Sequence, residues 1–306
     1  MKLRILIALA LVFALMPQAH SATPKTMVII DTGFNAADPI IASHTIYEVC
    51  ILDWYACPNG SNFQETRTAA LLTPTQLAAS GFSHGSKMAR AAIAAYPDIQ
   101  LILIRIVAQS SSGNRLSTSE GIVTKALTWV SKNATKFNIG AVAMSQGSSR
   151  GGVGARNCLS IPGVDKEVRS LRIKGIYSFF PAGNEGRNSA INWPSCIPEA
   201  VAVGALDKKG QIASYSNFAP NQIDIFEQGY PMEETATPAY SYETGSSYSV
   251  QFAAARWLSL VNQFPDKRAS QIFYTYAFSG ELLSSPRAMG GWSVNFEAAK
   301  ASLAGS

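Results

Sequence analysis

The amino-acid sequence predicts an α/β fold of three layers, α/β/α, in which helices cover both faces of a mainly parallel central sheet. Short segments made almost wholly of apolar residues recur along the chain, and segments with a helical pattern separate them. Such runs are typical of strands buried on both faces, and strands that alternate with helices pair in parallel. The chain has 306 residues, 47% of them hydrophobic, which suffices for one large domain with a substantial core. The predicted strands comprise residues 27–30, 101–107, 139–144, 175–180 and 200–204.

The N-terminal residues have the pattern of a secretory signal peptide. Residues 1–16 begin with basic side chains and continue as an apolar run that is short for a membrane span, and Ala19 and Ser21 suit a signal peptidase. We expect residues 1–21 to be a signal peptide, with an uncleaved anchor as the weaker alternative, and residues 22–306 to form a single secreted or periplasmic domain that does not contact the membrane after cleavage. The formal net charge falls from +5 to +3 once Lys2 and Arg4 are removed, which gives no reason to expect a nucleic-acid partner.

Three helices are predicted in chain order. Residues 84–96 are rich in alanine and are stopped by Pro97, and residues 119–132 are amphipathic. After the small polar residues 245–247, apolar side chains recur at helical spacing as far as Val261, which predicts a helix that begins at this turn. Residues 35–75 show no regular pattern, and we expect an irregular surface excursion there.

The cysteines predict disulfides. All four, Cys50, Cys57, Cys158 and Cys196, lie in the exported part, and an even number in an oxidising compartment is typical of disulfide pairs. Their spacing fits neither a zinc ribbon nor a Cys-x-x-Cys redox pair. Four cysteines allow three pairings, of which we favour Cys50–Cys57 closing a local loop and Cys158–Cys196 joining two loops.

Polar residues with catalytic potential stand where predicted elements begin or end. Asp31, Ser145 and Asn184 follow buried strands, and ligands of parallel sheets bind at the carboxyl ends of the strands. A serine nucleophile needs a base, and only His44 and His84 remain after signal removal. His84 opens a helix within a polar run and is the better candidate, because His44 lies in an irregular segment.

The order aspartate, histidine, serine along the chain matches one of the known catalytic triad orders. The serine would come from residues 245–247, at the start of the last predicted helix. An α/β-hydrolase with Ser145 as nucleophile is excluded, because that fold needs its histidine after the serine and no histidine follows His84.

Five short motifs resemble those of the subtilisin-like serine proteases, the subtilases, and occur in the same order. They are Asp31-Thr32-Gly33, His84-Gly85-Ser86, Met144-Ser145-Gln146-Gly147, Ala182-Gly183-Asn184 and Gly245-Ser246-Ser247. Residues 193–205, 213–217 and 290–299 resemble further segments of that family, so the resemblance spans residues 28–303. It implies a subtilisin-like α/β/α fold and a secreted serine endopeptidase that hydrolyses peptide bonds in proteins or peptides.

The resemblance also implies a role for each motif. Ser247 is the expected nucleophile, His84 the general base and then acid, and Asp31 the residue that orients the imidazole. Asn184, with the backbone N–H of Ser247, is expected to stabilise the oxyanion. The chemistry needs no metal or other cofactor. Nine further residues are expected to bind substrate: Ser145, Gln146, Gly147, Pro181, Ala182 and Gly183 as pocket walls, mostly through their backbone, and Ser111, Ser112 and Gly113 as an edge strand.

Departures from the family pattern leave a second function open. Ser83 stands where the family has a glycine, Lys87 where it has a second histidine, and Gln251 where it has a proline. Only residues 22–30 separate the expected cleavage point from Asp31, so we expect no N-terminal inhibitory pro-domain, and the helix after His84 lacks the calcium-binding loop of several relatives. The alternative is a catalytically weakened subtilase-like protein that acts as a binding module or requires a partner. Two means of control stay open: the chain folds and stays silent by other means, or a separate inhibitor or activator acts on it.

Overall fold

The structure is a computed structural model that describes residues 23–306 except 54–55, 80, 111–112, 116–117, 149–157, 159, 233–242 and 286–287. The side chains of residues 284–290 are also left undescribed. The predicted signal peptide, residues 1–21, lies outside the described residues. None of the helices in the described part of the chain combines the length and the apolar character that crossing a bilayer requires.

A central sheet organises the molecule. The strands of the described residues are β1 Thr26–Asp31, β2 Phe34–Asn35, β3 Thr45–Ile51, β4 Phe63–Glu65, β5 Leu71–Leu72, β6 Leu101–Arg105, β7 Ile139–Met144, β8 Tyr177–Pro181, β9 Val201–Leu206, β10 Ile225–Gln228, β11 Leu282–Ser285 and β12 Ala288–Trp292. Eight of them form the central sheet in the order β10-β9-β8-β7-β1-β6-β3-β4. Neighbours from β10 to β3 run parallel, and β4 pairs antiparallel with β3 at the edge.

Helices pack on both faces of this sheet. Those in the described residues are α1 Pro39–His44, α2 Pro74–Ala78, α3 His84–Ala95, α4 Glu120–Asn133, α5 Pro162–Ile173, α6 Ser246–Gln263, α7 Ala269–Ala277 and α8 Phe296–Ala304. Buried side chains of α3 and α6 share one apolar cluster, and those of α4 and α5 share another. The α/β fold with a mainly parallel sheet is therefore confirmed.

Alternation along β1 divides its side chains between the two clusters. Met27 and Ile29 pack with α3 and α6, whereas Val28 and Ile30 pack with α4 and α5. Successive side chains of a strand point to opposite faces, so a strand covered on both sides must be apolar at every position. This requirement explains why β1, β6 and β7 are visible in the sequence as unbroken apolar runs.

The prediction of an irregular excursion over residues 35–75 is wrong. This region contributes β3 to the central sheet, together with β4, β2, β5 and two short helices. The apolar pattern of β3 is interrupted by Glu48, a buried carboxylate whose two oxygens accept hydrogen bonds from the backbone of Thr68 and Ala70, each at 3.1 Å. A charged residue that is satisfied by distant backbone groups hides the strand from a search for apolar runs. Burial raises the pKa of this carboxyl group.

The disulfides are those that we favoured from the sequence. Cys50 is bonded to Cys57, and Cys158 is bonded to Cys196. Cys50 lies in β3 and its bond closes a local loop, whereas Cys196 lies three residues after Trp193 and its bond joins two separate loops.

Candidate active site

Asp31 lies at the carboxyl end of β1, in the interior of the sheet between β6 and β7, and is completely buried. One carboxylate oxygen, Oδ1, accepts three hydrogen bonds, from Thr32 N at 2.6 Å, His84 Nδ1 at 2.8 Å and Gln146 Nε2 at 3.1 Å. The other oxygen, Oδ2, has no hydrogen-bond partner among the described residues. Three donors fix the orientation of this carboxylate.

His84 is the first residue of α3, and Gly85 allows this end of the helix to lie directly on the turn after β1. Gly85 N donates to Thr32 Oγ1 at 3.0 Å, and a Cβ at Gly85 would lie 2.4 Å from the carbonyl oxygen of Gly33. The side chain of His84 remains 23% exposed, whereas Asp31 is buried. The imidazole is therefore held by Asp31 at Nδ1, and part of the ring remains exposed to solvent.

The contact with Asp31 determines which imidazole nitrogen can act as a base. A carboxylate oxygen only accepts hydrogen bonds, so Nδ1 of His84 carries the hydrogen in this contact, and in a neutral imidazole Nε2 is then the nitrogen that has the lone pair. Gln146 Nε2 also lies 3.5 Å from Nδ1, because these two donors share one acceptor, Asp31 Oδ1.

The side chain of Gln146 has a role that the sequence did not reveal. We expected Gln146 to line a substrate pocket mostly through its backbone, yet its amide reaches Asp31. Arg115 Nη2 donates to Gln146 Oε1, and since a guanidinium only donates, the amide oxygen faces Arg115 and the amide nitrogen faces the carboxylate. No sequence signal could have paired Arg115 with Gln146, because they come from separate loops.

The two serines of the turn before α6 differ in burial and in bonding. Ser246 is completely buried, and its Oγ donates to Asn184 Oδ1 at 2.8 Å and accepts from Gly183 N at 3.3 Å. Ser247, the second residue of the helix, is partly exposed. Ser246 is thus committed to internal contacts, whereas Ser247 is accessible and lies where helix N–H groups lack intrahelical partners.

Asn184 is oriented by the same turn. Its Oδ1 accepts from both Ser246 N and Ser246 Oγ, each at 2.8 Å. Because Ser246 holds the amide oxygen of Asn184, the amide nitrogen Nδ2 points away from Ser246. Asn184 is exposed and lies beside the start of α6. The two contacts with Ser246 thus fix the orientation of the Asn184 amide.

Asn217 clamps the loop that carries Asn184. Its Nδ2 donates to Ala182 O at 3.1 Å, and its Oδ1 accepts from Glu185 N at 3.1 Å and Arg187 N at 3.0 Å. Gly183 has φ of +110°, and a Cβ there would lie 2.3 Å from Asn217 Nδ2, so only glycine fits. The sequence marked residues 213–217 as family-like but did not indicate this clamp.

The two expected pocket walls, residues 145–147 and 181–183, follow β7 and β8, and one segment ties them together. Asn192 N donates to Ala182 O at 2.8 Å, and Trp193 exchanges two backbone hydrogen bonds with Ser148, at 2.9 and 3.1 Å. Of the expected edge strand, Ser111 and Ser112 lie outside the described residues. Gly113 is described, and its N–H donates to Ser110 O at 2.9 Å.

Two further ionisable residues make their contacts outside the site. Arg105 ends β6 in register with Asp31 of β1 and donates to the carbonyl of Val107 at 3.2 Å; its burial lowers the pKa of the guanidinium to about 10. His44 lies elsewhere, where its imidazole contacts the carbonyl oxygens of Ile40 and Pro97 at 2.7 and 2.9 Å. These contacts agree with the choice of His84 over His44.

Of the three residues that depart from the family pattern, Lys87 and Gln251 have side-chain partners. Lys87 is buried on α3, and its Nζ lies 2.7 Å from Oε1 of Glu243, two residues before Gly245. Gln251 is completely buried on α6, and its Nε2 donates to Ser145 Oγ at 2.9 Å. One departure therefore links the helix that carries His84 to the turn that carries Ser247, and the other links α6 to the end of β7.

This chain is similar in sequence and in fold to known proteins. A subtilisin of Bacillus pumilus is 24% identical over 300 residues, which are 94% of this chain and 94% of that protein. A cuticle-degrading serine protease of Arthrobotrys oligospora is 28% identical over 130 residues, 42% of this chain, and the aligned part is only 28% of that longer relative. Among solved structures, one of proteases from Pseudoalteromonas arctica PAMC 21717 has a TM-score of 0.71 at 17% identity, covers 92% of this chain and 91% of that one, and shows a shared fold.

The sequence profile described as "Subtilase family" matches residues 26–278. This range includes the three motifs that carry Asp31, His84 and Ser247, as well as the loop of Asn184. Because the match covers most of the chain, the protein belongs to the subtilase family.

Proposed function

We propose that this chain is a secreted or periplasmic serine endopeptidase that hydrolyses peptide bonds through an acyl-enzyme on Ser247. The observation that carries the proposal is the 2.8 Å contact between His84 Nδ1 and the buried Asp31 Oδ1. Because this contact occupies Nδ1, Nε2 of the partly exposed imidazole is the proposed base. The imidazole lies at the same edge of the sheet as Ser145 and the start of α6.

In the proposed reaction, Ser247 Oγ attacks the scissile carbonyl carbon while its proton passes to His84 Nε2. The imidazolium is stabilised by Asp31, and the oxyanion by Asn184 Nδ2 and the backbone N–H of Ser247. When the tetrahedral intermediate collapses, the C–N bond breaks and the leaving amine takes the proton from His84. A water molecule then attacks the acyl-enzyme by the same route, releasing the acid and restoring Ser247. The chemistry needs no metal or cofactor.

Two observations support the proposed substrate and location. Ser145, Gly147, Ala182 and Gly183 are small residues at the carboxyl ends of β7 and β8, and small side chains let an extended peptide backbone approach closely. Two disulfides suit an oxidising compartment, in agreement with the predicted signal peptide. N-terminal sequencing of the exported protein should begin at Ala22 if cleavage follows Ser21.

The decisive experiment compares wild type, Ser247→Ala and Ser246→Ala, purified as exported protein. A mixed peptide library measures cleavage, and a fluorophosphonate that forms a bond to activated serines measures the nucleophile directly. We expect Ser247→Ala to abolish both signals and Ser246→Ala to retain labelling at a reduced rate, because Ser246 only orients Asn184. Loss of labelling in Ser246→Ala with retention in Ser247→Ala would show that the nucleophile is misassigned.

The second candidate function is a catalytically weakened binding protein or one that requires a partner. Lys87 and Gln251 favour it, since both replace family residues close to the site. Against it, each of the two makes a definite contact, Lys87 with Glu243 and Gln251 with Ser145. Failure of the wild-type protein to cleave any peptide or to react with the probe would support this alternative.

A further inference from the structure

Gln251 is an unusual residue for its position in the core. It lies on α6 one turn after Ser247, is completely buried, and stands where the family resemblance led us to expect a proline. Its Nε2 donates to Ser145 Oγ at 2.9 Å, whereas its Oε1 is buried with no hydrogen-bond partner among the described residues. A buried amide that is only half satisfied costs stability, so an apolar residue of the same size would suit this core better.

The hydroxyl of Ser145, which Gln251 contacts, is also hydrogen-bonded to the backbone of the proposed nucleophile, Ser247. Ser145 Oγ also lies 3.1 Å from the carbonyl oxygen of Ser247. A carbonyl oxygen only accepts, so the single proton of the Ser145 hydroxyl goes to Ser247, and the hydroxyl oxygen accepts from Gln251 Nε2. The three groups form one directed chain, from the Gln251 amide through the Ser145 hydroxyl to the Ser247 carbonyl.

Gln251 reaches the same carbonyl by a second route. In an α-helix each N–H bonds to the carbonyl four residues earlier, and Gln251 is four residues after Ser247 in α6. Its backbone N–H and, through Ser145, its side chain both act on the peptide group between Ser247 and Tyr248. A proline at this position would supply neither donor.

We propose that Gln251 is a positioning residue for Ser247, which it orients through the Ser145 hydroxyl without touching the substrate. The inference depends on the proposed function, in which Ser247 is the nucleophile. The hydrogen-bonded chain restrains the backbone of Ser247 from the side of β7, while Asn184 restrains the preceding residue, Ser246. Gln251 costs stability but orients the nucleophile. Replacing it with an apolar residue should therefore lower the reactivity of Ser247 without lowering the stability of the protein.

The test uses the exported protein as wild type, Gln251→Met, Ser145→Ala and the double variant. Gln251→Met keeps the size of the side chain and removes its donor. The matched control is Ser249→Ala, because Ser249 lies on the same turn of α6, is completely buried, and has an Oγ without a partner among the described residues. Two quantities are measured for each protein: the second-order rate of serine labelling by a small fluorophosphonate that lacks a peptide portion, and the midpoint of thermal unfolding.

We expect Gln251→Met to slow labelling about three- to tenfold, the effect of one hydrogen bond, without lowering the unfolding midpoint. Ser145→Ala should slow labelling at least as much, the double variant no more than Ser145→Ala, and Ser249→Ala should react like wild type. If Gln251→Met does not fold, Ser145→Ala, which deletes one hydroxyl, provides the same test against the same control.

Three results would overturn the inference: a wild-type labelling rate in Gln251→Met, effects that multiply in the double variant, or an equal slowing by Ser249→Ala. Each of these leaves the proposed function intact, because the wild-type protein reacts. Absence of any reaction in the wild-type protein would instead refute the proposed function and, with it, this inference. The two failures are therefore distinguishable in one set of measurements.

Discussion

The two disulfides offer a matched pair of perturbations, because replacing either pair of cysteines by alanine removes the same atoms. Cys158 and Cys196 are 38 residues apart in the sequence, whereas Cys50 and Cys57 are seven residues apart. A cross-link that closes a longer loop removes more conformational entropy from the unfolded chain. The longer loop should therefore contribute more to the free energy of unfolding.

The two loop lengths determine how much more the Cys158–Cys196 bond should contribute to the free energy of unfolding than the Cys50–Cys57 bond. The loop-closure relation gives about 4 kcal/mol for the longer loop and about 2.5 kcal/mol for the shorter one. Cys158→Ala/Cys196→Ala should therefore lower the free energy of unfolding by about 1.5 kcal/mol more than Cys50→Ala/Cys57→Ala.

Equilibrium unfolding in denaturant, followed by tryptophan fluorescence and circular dichroism, measures both losses by linear extrapolation. The longer loop also has a functional readout, because Cys196 follows Trp193, whose backbone pairs with Ser148 beside the expected substrate wall. Only loss of the Cys158–Cys196 bond should raise KM for peptides. Equal losses of stability, or a larger loss from the shorter loop, would refute the loop-entropy reasoning.

Three further predictions concern single residues. Asn184→Leu removes an oxyanion donor, so kcat should fall about 10²- to 10³-fold with little change in KM, and an unchanged kcat would remove Asn184 from the proposed site. Gln146→Leu removes a hydrogen bond to the buried Asp31 carboxylate and should lower the free energy of unfolding by about 1.5–3 kcal/mol, together with kcat/KM. Wild-type values of both quantities would contradict that role. For Glu48, burial raises the carboxyl pKa in the folded protein above the ordinary value of 4.5, which applies to the unfolded chain. Wild-type stability therefore falls as the pH rises through the window between the unfolded-state pKa and the folded-state pKa. The stability of Glu48→Gln relative to wild type should therefore increase with pH across that window in denaturant titrations, and a difference independent of pH would contradict the raised pKa.

The features that the sequence revealed are those encoded within short segments. The apolar runs of β1, β6 and β7 follow from burial on both faces, and the helix that begins at Ser246 follows from small polar residues before an apolar pattern. The candidate site was visible for the same reason, since Asp31, His84 and Ser247 each stand at the end or the beginning of such an element.

The features that the sequence concealed depend on contacts between distant segments. β3 was missed because Glu48 interrupts its apolar pattern, and this charge is satisfied by the backbone of Thr68 and Ala70, about twenty residues away. The contact of Gln146 with Asp31 and that of Gln251 with Ser145 likewise join residues more than one hundred positions apart. A hydrogen bond of this kind leaves no local pattern, so only the three-dimensional arrangement reveals it.

The place of β1 in the middle of the sheet affects the order in which the chain folds and the point at which the proposed site is complete. Both neighbours of β1 come later in the sequence, β6 from Leu101 and β7 from Ile139, and Ser247 comes a further hundred residues on. Pairings of such separation form late, because the entropy of closing the intervening chain must be overcome first. A nascent or half-folded chain could bring Asp31 to His84 but would still lack the serine. Under the proposed function, the chain could hydrolyse other proteins only after the helix that carries Ser247 had been synthesised and had packed against the sheet.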